Sequence, residues 1–128
     1  MSAGLADTSV FIARESGRPL SIDLLPDRIS VSVITIGELR AGVLAAATLE
    51  ARDRRLATLS EASALAPFLV DESVAEAWAR LRVALRDSDL RMGVNDSWIA
   101  ATAIARGLPV ITHDADYVTV PGLPVIRV

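Results

Sequence analysis

The chain has no cysteine and no lysine; all 13 of its basic residues are arginine. The first absence removes disulfides, zinc-thiolate centres and thiol nucleophiles, and is compatible with a reducing compartment. The second excludes chemistry that needs a P-loop lysine, a Schiff base or a receiver-domain lysine. Histidine occurs once, at His113, so a Ser-His-Asp triad would have to use it, yet no nucleophile-elbow glycine pattern accompanies Ser9 or Ser97. His113 is expected as an exposed loop residue. Aromatic residues are only 4% of the chain, and Trp78 and Trp98 fall in apolar helical patterns, which reads as core or interface rather than base-stacking platforms. No uncharged apolar run approaches the ~20 residues of a membrane span. The apolar segment from Gly4 to Ala13 is broken by Asp7 and preceded by no positive charge, unlike a targeting signal. A soluble, cytoplasmic protein with no membrane association is expected.

What is abundant is aliphatic. The hydrophobic fraction is 52%, high for a small soluble chain, so part of the apolar surface is expected to be covered by another chain. The length of 128 residues fits one domain, residues 1–128, and at that size roughly two-thirds of the unfolded chain's surface is buried on folding. A net charge of −3 argues against indiscriminate nucleic-acid binding. Arginines at 52, 54 and 55, and again at 80, 82, 86 and 91, leave room for a local basic surface or for plain solvated helix faces.

Periodicity predicts short apolar strands alternating with helices. Gly4 to Asp7 reads as a buried strand and Thr8 to Glu15 as a helix stopped by Gly17-Arg18-Pro19. Ile29 to Val33 alternates like a strand, and Thr35 with Glu38 has the capping-box form that opens a helix, placing Glu38 in its first turn. Leu39 to about Leu59 is helical with a break near Ala47-Thr48. Pro67 makes Ala64 to Val70 an edge strand at most. Ser73 and Glu76 form a second capping box, opening a helix with Val74, Trp78, Leu81 and Leu85 on one face. Asn95 or Asp96 caps an apolar helix that ends at Arg106-Gly107. Leu108 to Thr112 is a buried strand, His113 to Tyr117 its exit loop, and Pro124 to Val128 a closing strand. The alternation implies a three-layer α/β/α sandwich with a short, mostly parallel central sheet.

Asp7, Glu38, Asp96 and Asp114 lie at the mouths of these apolar segments. Ligands of a parallel sheet gather beyond the strands' carboxyl ends, so the four acids are expected in one pocket. Carboxylates gathered without basic partners repel one another, and a divalent cation, magnesium or manganese, is the usual remedy. Each acid also has a plainer explanation. Asp7 and Asp96 could only cap helices, Glu38 could complete a capping box, and Asp114 with Asp116 could make an Asx turn. Four separate coincidences would then be needed where one metal site suffices.

Four motifs carry a family likeness: Asp7-Thr8-Ser9, Thr35-Ile36-Gly37-Glu38-Leu39-Arg40-Ala41-Gly42, Asn95-Asp96-Ser97-Trp98-Ile99-Ala100-Ala101 and Thr112-His113-Asp114-Ala115-Asp116-Tyr117. In this order they resemble the PIN-domain ribonucleases, and specifically the VapC toxins of type II (VapBC) toxin-antitoxin pairs, over almost the whole chain. The resemblance implies an endoribonuclease that hydrolyses RNA phosphodiester bonds through a Mg2+- or Mn2+-activated water. It implies a homodimer held inactive by a VapB-type antitoxin in a heterotetramer or larger assembly. Asp7, Glu38, Asp96 and Asp114 match the family's acidic catalytic and metal positions, Thr8, Ser9 and Thr112 its assisting hydroxyls, and Asp116 a variable accessory acid. Tyr117 stands where phenylalanine is commoner, and reads as a packing change. The helix from Ala41 to Leu49 and the Leu56 to Leu59 stretch are expected to meet a partner. Two alternatives remain open: a degenerate PIN-fold binding module, and an acid-cluster DNA nuclease.

Overall fold

The computed structural model describes residues 1–128. Four strands form one sheet: β1 (Ala3–Ala6), β2 (Arg28–Val31), β3 (Val110–Thr112) and β4 (Val125–Arg127). Their order is β2-β1-β3-β4 and every pairing is parallel. The expected sheet was mostly parallel; it is wholly so. The five helices are α1 (Thr8–Glu15), α2 (Val33–Leu44), α3 (Leu49–Ser63), α4 (Glu72–Asp87) and α5 (Val94–Arg106), with one 3-10 turn at Ile22–Leu24 that sequence patterning did not suggest.

Strand pleating sends alternate side chains to opposite faces, which makes two cores. Leu5 and Val110 face Leu81 and Leu85 of α4 and Ile99, Ala100 and Ala103 of α5. Their neighbours Ala6 and Ile111 face Val10, Phe11, Leu39, Val43, Leu59 and Ala62, from α1, α2 and α3. The three-layer sandwich follows directly from that alternation. The two central strands, β1 and β3, carry apolar residues toward both faces, as covered parallel strands do.

Helix boundaries depart from the sequence expectations where a nearer cap was available. Helix α2 starts earlier than the Thr35-Glu38 box: Ser32 caps it, its hydroxyl accepting from Ile34 N at 3.1 Å. Glu38 therefore lies in the second turn and is released from capping. Asp71, not Ser73, caps α4, accepting from Val74 N at 3.0 Å, and also binds Arg106 at 2.7 Å. Those contacts hold its carboxyl below the ordinary carboxylate value, the Val74 amide contributing most. Helix α5 starts after Gly93 with no side-chain cap, so Asp96 sits inside the first turn with its carboxylate unspent. Asn95 likewise caps nothing. The end of α5 is as expected, with Gly107 at φ +66 in the left-handed region. Pro67 limits its segment to a single bridge between Phe68 and Ser32, at the outer edge beside β2.

At Gly4 the sheet depends on the missing side chain. A Cβ there would lie 2.9 Å from Ile111 Cγ1 and Cδ1 and 3.2 Å from Pro26 Cγ. Replacing Gly4 by valine forces Ile111, a member of the α1–α3 core, to move. Gly4→Val is expected to lower stability by about 1–3 kcal/mol, the usual range for overpacking, as a shift in the urea midpoint; an unmoved midpoint would refute the close approach.

Candidate functional site

Chain order reverses direction across the sheet between β1 and β3, since β2 lies on one side of β1 and β3 on the other. The carboxyl ends of these two central strands thus flank the crevice where open parallel sheets place their ligands. Asp7 follows β1 and is 4% exposed. It caps α1, with Oδ1 accepting from Ser9 N at 3.0 Å and Ser9 Oγ at 2.5 Å. Thr112 ends β3, and its hydroxyl lies 3.2 Å from Ser9 Oγ. Ser9 Oγ also accepts from His113 N at 2.9 Å, so the two strand ends are tied by one serine.

A second hydroxyl relay serves Glu38. Thr8 Oγ1 donates to Glu38 Oε1 at 2.6 Å and lies 3.0 Å from Thr35 Oγ1. A hydroxyl has one proton, so with Thr8's given to Glu38, Thr35 is the donor to Thr8. Thr35 is fully buried. Its role here was missed from sequence, where it read as a helix cap; nothing in the local pattern signals a partner 27 residues away.

Asp96 approaches from the opposite layer. Its helix is anchored by Ser97, fully buried, whose hydroxyl accepts from Trp78 Nε1 at 3.0 Å and donates to Val94 O at 2.5 Å. Trp78 and Trp98 stack at 4.4 Å between centroids and 4° between planes. Both are half-buried, packed against Val74, Ala77 and Ala101 as the helical pattern implied. Asn95 joins Glu38, Val33, Ile34, Gly37 and Ala41 around a cavity of about 460 Å³. Its place beside Asp96 is the one sequence signal that could have suggested this.

Electrostatics link these acids more firmly than any direct contact. Partial burial pushes the Asp96 carboxyl above its ordinary value, and Asp7, Glu38 and Asp114 push it further by charge repulsion. Burial also raises Asp7, against the pull of the Ser9 and Thr112 hydroxyls and the Ser9 and Val10 amides. None of the five ion pairs in the structure involves any of these four acids. Hard oxygen donors without cationic neighbours suit a magnesium- or manganese-like ion. No three carboxylates stand at coordination distance as they are oriented; Glu38 is turned onto Thr8.

The exit loop of β3 behaves differently. Asp114 is exposed and forms the Asx turn, accepting from Asp116 N at 2.9 Å, while its own amide donates to Thr112 Oγ1 at 3.1 Å. Its charge still acts on Asp96. Asp116 is exposed, and its amide is the donor of that turn. His113 is half-buried, not exposed as expected, because its ring Nδ1 lies 2.7 Å from Val128 O. Ser9, the serine that touches His113, meets its backbone amide and not its ring, unlike the serine of a triad.

Raised carboxyl pKa values carry a sign. A group whose folded value exceeds its unfolded one binds more protons when folded, so stability falls as pH rises from the ordinary carboxylate value through the raised one. Burial of ionised Asp7 is therefore a cost at neutral pH. Asp7→Asn keeps a competent helix cap and is expected to raise the melting temperature at neutral pH, with the gain disappearing at acidic pH. Paired thermal melts across pH check this; a variant less stable at neutral pH would refute it.

A PIN-domain family model matches residues 5–123. The chain is 50% identical over 127 residues to Ribonuclease VapC5 of Mycobacterium tuberculosis, covering 99% of this chain and 94% of that one. It is 49% identical over 129 residues to Ribonuclease VapC4 of the same organism, covering 97% and 95%. A crystal structure of VapBC-5, a member of the VapBC family of toxin-antitoxin systems from M. tuberculosis, superposes with a TM-score of 0.90 at 46% identity over the full length of both chains. On the strength of these matches the chain belongs to the PIN-domain family, in its VapC branch.

Proposed function

We propose that this chain is the toxin of a toxin-antitoxin pair, a ribonuclease that hydrolyses RNA phosphodiester bonds with Asp7, Glu38, Asp96 and Asp114 around a Mg2+ or Mn2+ ion. PIN ribonucleases are in general dependent on divalent metal. The observation that carries the assignment to these residues is that Asp7, Glu38 and Asp114, each from a separate part of the chain, all repel the Asp96 carboxylate, and none of the four acids has an ion-pair partner. An apo site of that charge repels a phosphodiester. A hard divalent ion neutralises it, withdraws charge from the phosphoryl oxygens and makes water nucleophilic at neutral pH.

The chain's own contribution is placement. The Ser9 hydroxyl and amide both hold Oδ1 and so fix the rotamer of Asp7. The Thr35-Thr8 relay fixes the position of the Glu38 carboxylate. Ser97 and Trp78 hold the first turn of α5, and with it Asp96. Asp114, exposed on its turn, is suited to an outer position, acting by charge or through water, and Asp116 to none closer.

Residues 1–128 act as one PIN domain in this reading. A VapB-type antitoxin is the inhibitory partner, in line with the toxin-antitoxin complexes among the structural relatives. A homodimer within a heterotetramer or larger complex would cover the apolar surface around Leu44, Leu49 and Leu56, which are 71%, 74% and 44% exposed. Leu59, by contrast, is core.

Asp7→Asn should abolish RNA cleavage, with a larger loss than the ~10–100-fold typical of an outer-shell partner, and the parent should lose activity with chelator and regain it with Mg2+ or Mn2+. Parallel DNA oligonucleotides test the choice of nucleic acid. A variant that cuts as fast as the parent sinks the assignment. Thr8→Val leaves all four acids in place but strands Glu38. It should weaken Mn2+ binding ~10-fold or more by calorimetry; unchanged affinity would remove Glu38's relay from the site.

A further inference from the structure

Outside the carboxylate cluster, three arginines converge on one opening. Arg82 and Arg86 of α4 and Arg91 of the α4–α5 connection surround an open cavity of about 320 Å³ floored by Leu85, Leu90 and Met92. All three arginines are exposed. Arg91 has no ion-pair partner, and Arg82 is stacked over the Trp78 ring, 5.3 Å from its centroid. Arg86 meets only its neighbour Asp87 at 3.4 Å, both side chains well exposed, a contact worth little. Asp87 and Asp89 lie in the same stretch, but neither lines the cavity, and three guanidinium groups around one opening make an anion its natural occupant.

Location decides which anion. Helices α4 and α5 run antiparallel: Trp78 bonds Ser97 and stacks on Trp98, while Asp71 bonds Arg106. One turn of α4 separates Trp78 from Arg82, ~6 Å along the axis, toward the level where α5 begins and Asp96 stands. Arg91 precedes Asp96 by five residues, no more than ~18 Å of chain. Met92 packs against the α4–α5 core, fixing the connection that carries Arg91. The basic cavity thus lies at the end of α4 nearest the start of α5, the helix that carries Asp96.

We infer that Arg82, Arg86 and Arg91 form a phosphate-binding site for single-stranded RNA, holding the backbone of the strand on one side of the bond placed at Asp96. The inference rests on the ribonuclease reading. Arg86 in the last turn of α4 also complements the helix dipole, but that accounts for neither Arg82, a turn earlier, nor Arg91 beyond the helix. Guanidinium forks pair with phosphate oxygens without reading the base, so the site sets affinity and strand direction rather than sequence preference.

The test is binding of a short labelled oligouridylate to the Asp7→Asn protein by fluorescence anisotropy across salt concentrations. Combined replacement Arg82→Gln, Arg86→Gln and Arg91→Gln in that background should weaken binding ~10-fold or more and flatten the log-log salt slope by about 2, at about 0.7 per phosphate contact. With Asp7 intact, the triple variant should raise KM for RNA and keep kcat. Arg52→Gln, an exposed arginine on α3, is the control and should leave the slope unchanged. A triple variant with the parent slope, or an Arg52→Gln slope lowered as much per charge, overturns the local site while leaving the ribonuclease reading intact. Loss of hold on an acidic protein partner with RNA binding unchanged overturns it in favour of a protein-docking role. A parent that neither cuts nor binds RNA overturns both.

Discussion

Negative charge held at the carboxyl edge of a parallel sheet, with hydroxyls rather than cations as its neighbours, is the constraint on which the rest of the structure turns. Asp7 is nearly buried and is stabilised only by Ser9, Thr112 and two backbone amides. Glu38 leans on Thr8, which Thr35 supports from the interior. Hydroxyls and amides lower the cost of a carboxylate without cancelling its charge, whereas an arginine would quench it. The negative field survives folding, and a cation from outside is what completes it.

Keeping that field requires stiffness on both sides of the sheet. On one face, the close contact of Gly4 with Ile111 and Pro26 brings β1 and β3 into the core with α1 to α3. On the other, the Trp78-Ser97 bond and the tryptophan stack fix α5 against α4, so that Asp96 meets acids from the opposite layer. Three fragments of backbone far apart in sequence are rigid in space for reasons of packing. The repulsion at their tips is borne by that packing, which is the usual relation between a functional site and the stability surrounding it.

The same α4–α5 pairing that positions Asp96 also sets Arg82, Arg86 and Arg91 toward the end of α4 nearest the start of α5. Positive charge stays outside the crevice, where it can hold phosphates without neutralising the carboxylates. A chain of net charge −3 can in this way offer both an acidic crevice and a basic approach to it, a separation that net charge conceals.

Strand and helix identities, the parallel sheet and the four principal acids were legible in sequence because they rest on local pattern: apolar runs, alternation, glycine stops and acids at segment ends. Helix Thr8–Glu15 and the Gly107 terminus were readable for that reason. Caps were not, since Ser32, Asp71 and Gly93 lie just upstream of equally plausible competitors, and the choice among them depends on where the chain enters from a strand or loop. The consequence is functional, because an early start to α2 and α5 frees Glu38 and Asp96 from capping. Contacts between distant segments were invisible: Thr8 with Thr35, Ser9 with Thr112 and His113 with Val128. Sequence alone determined which groups could bear charge and on which kind of element; only the tertiary structure decided which of them share a field, because repulsion and hydrogen bonding depend on distances that a linear pattern does not contain.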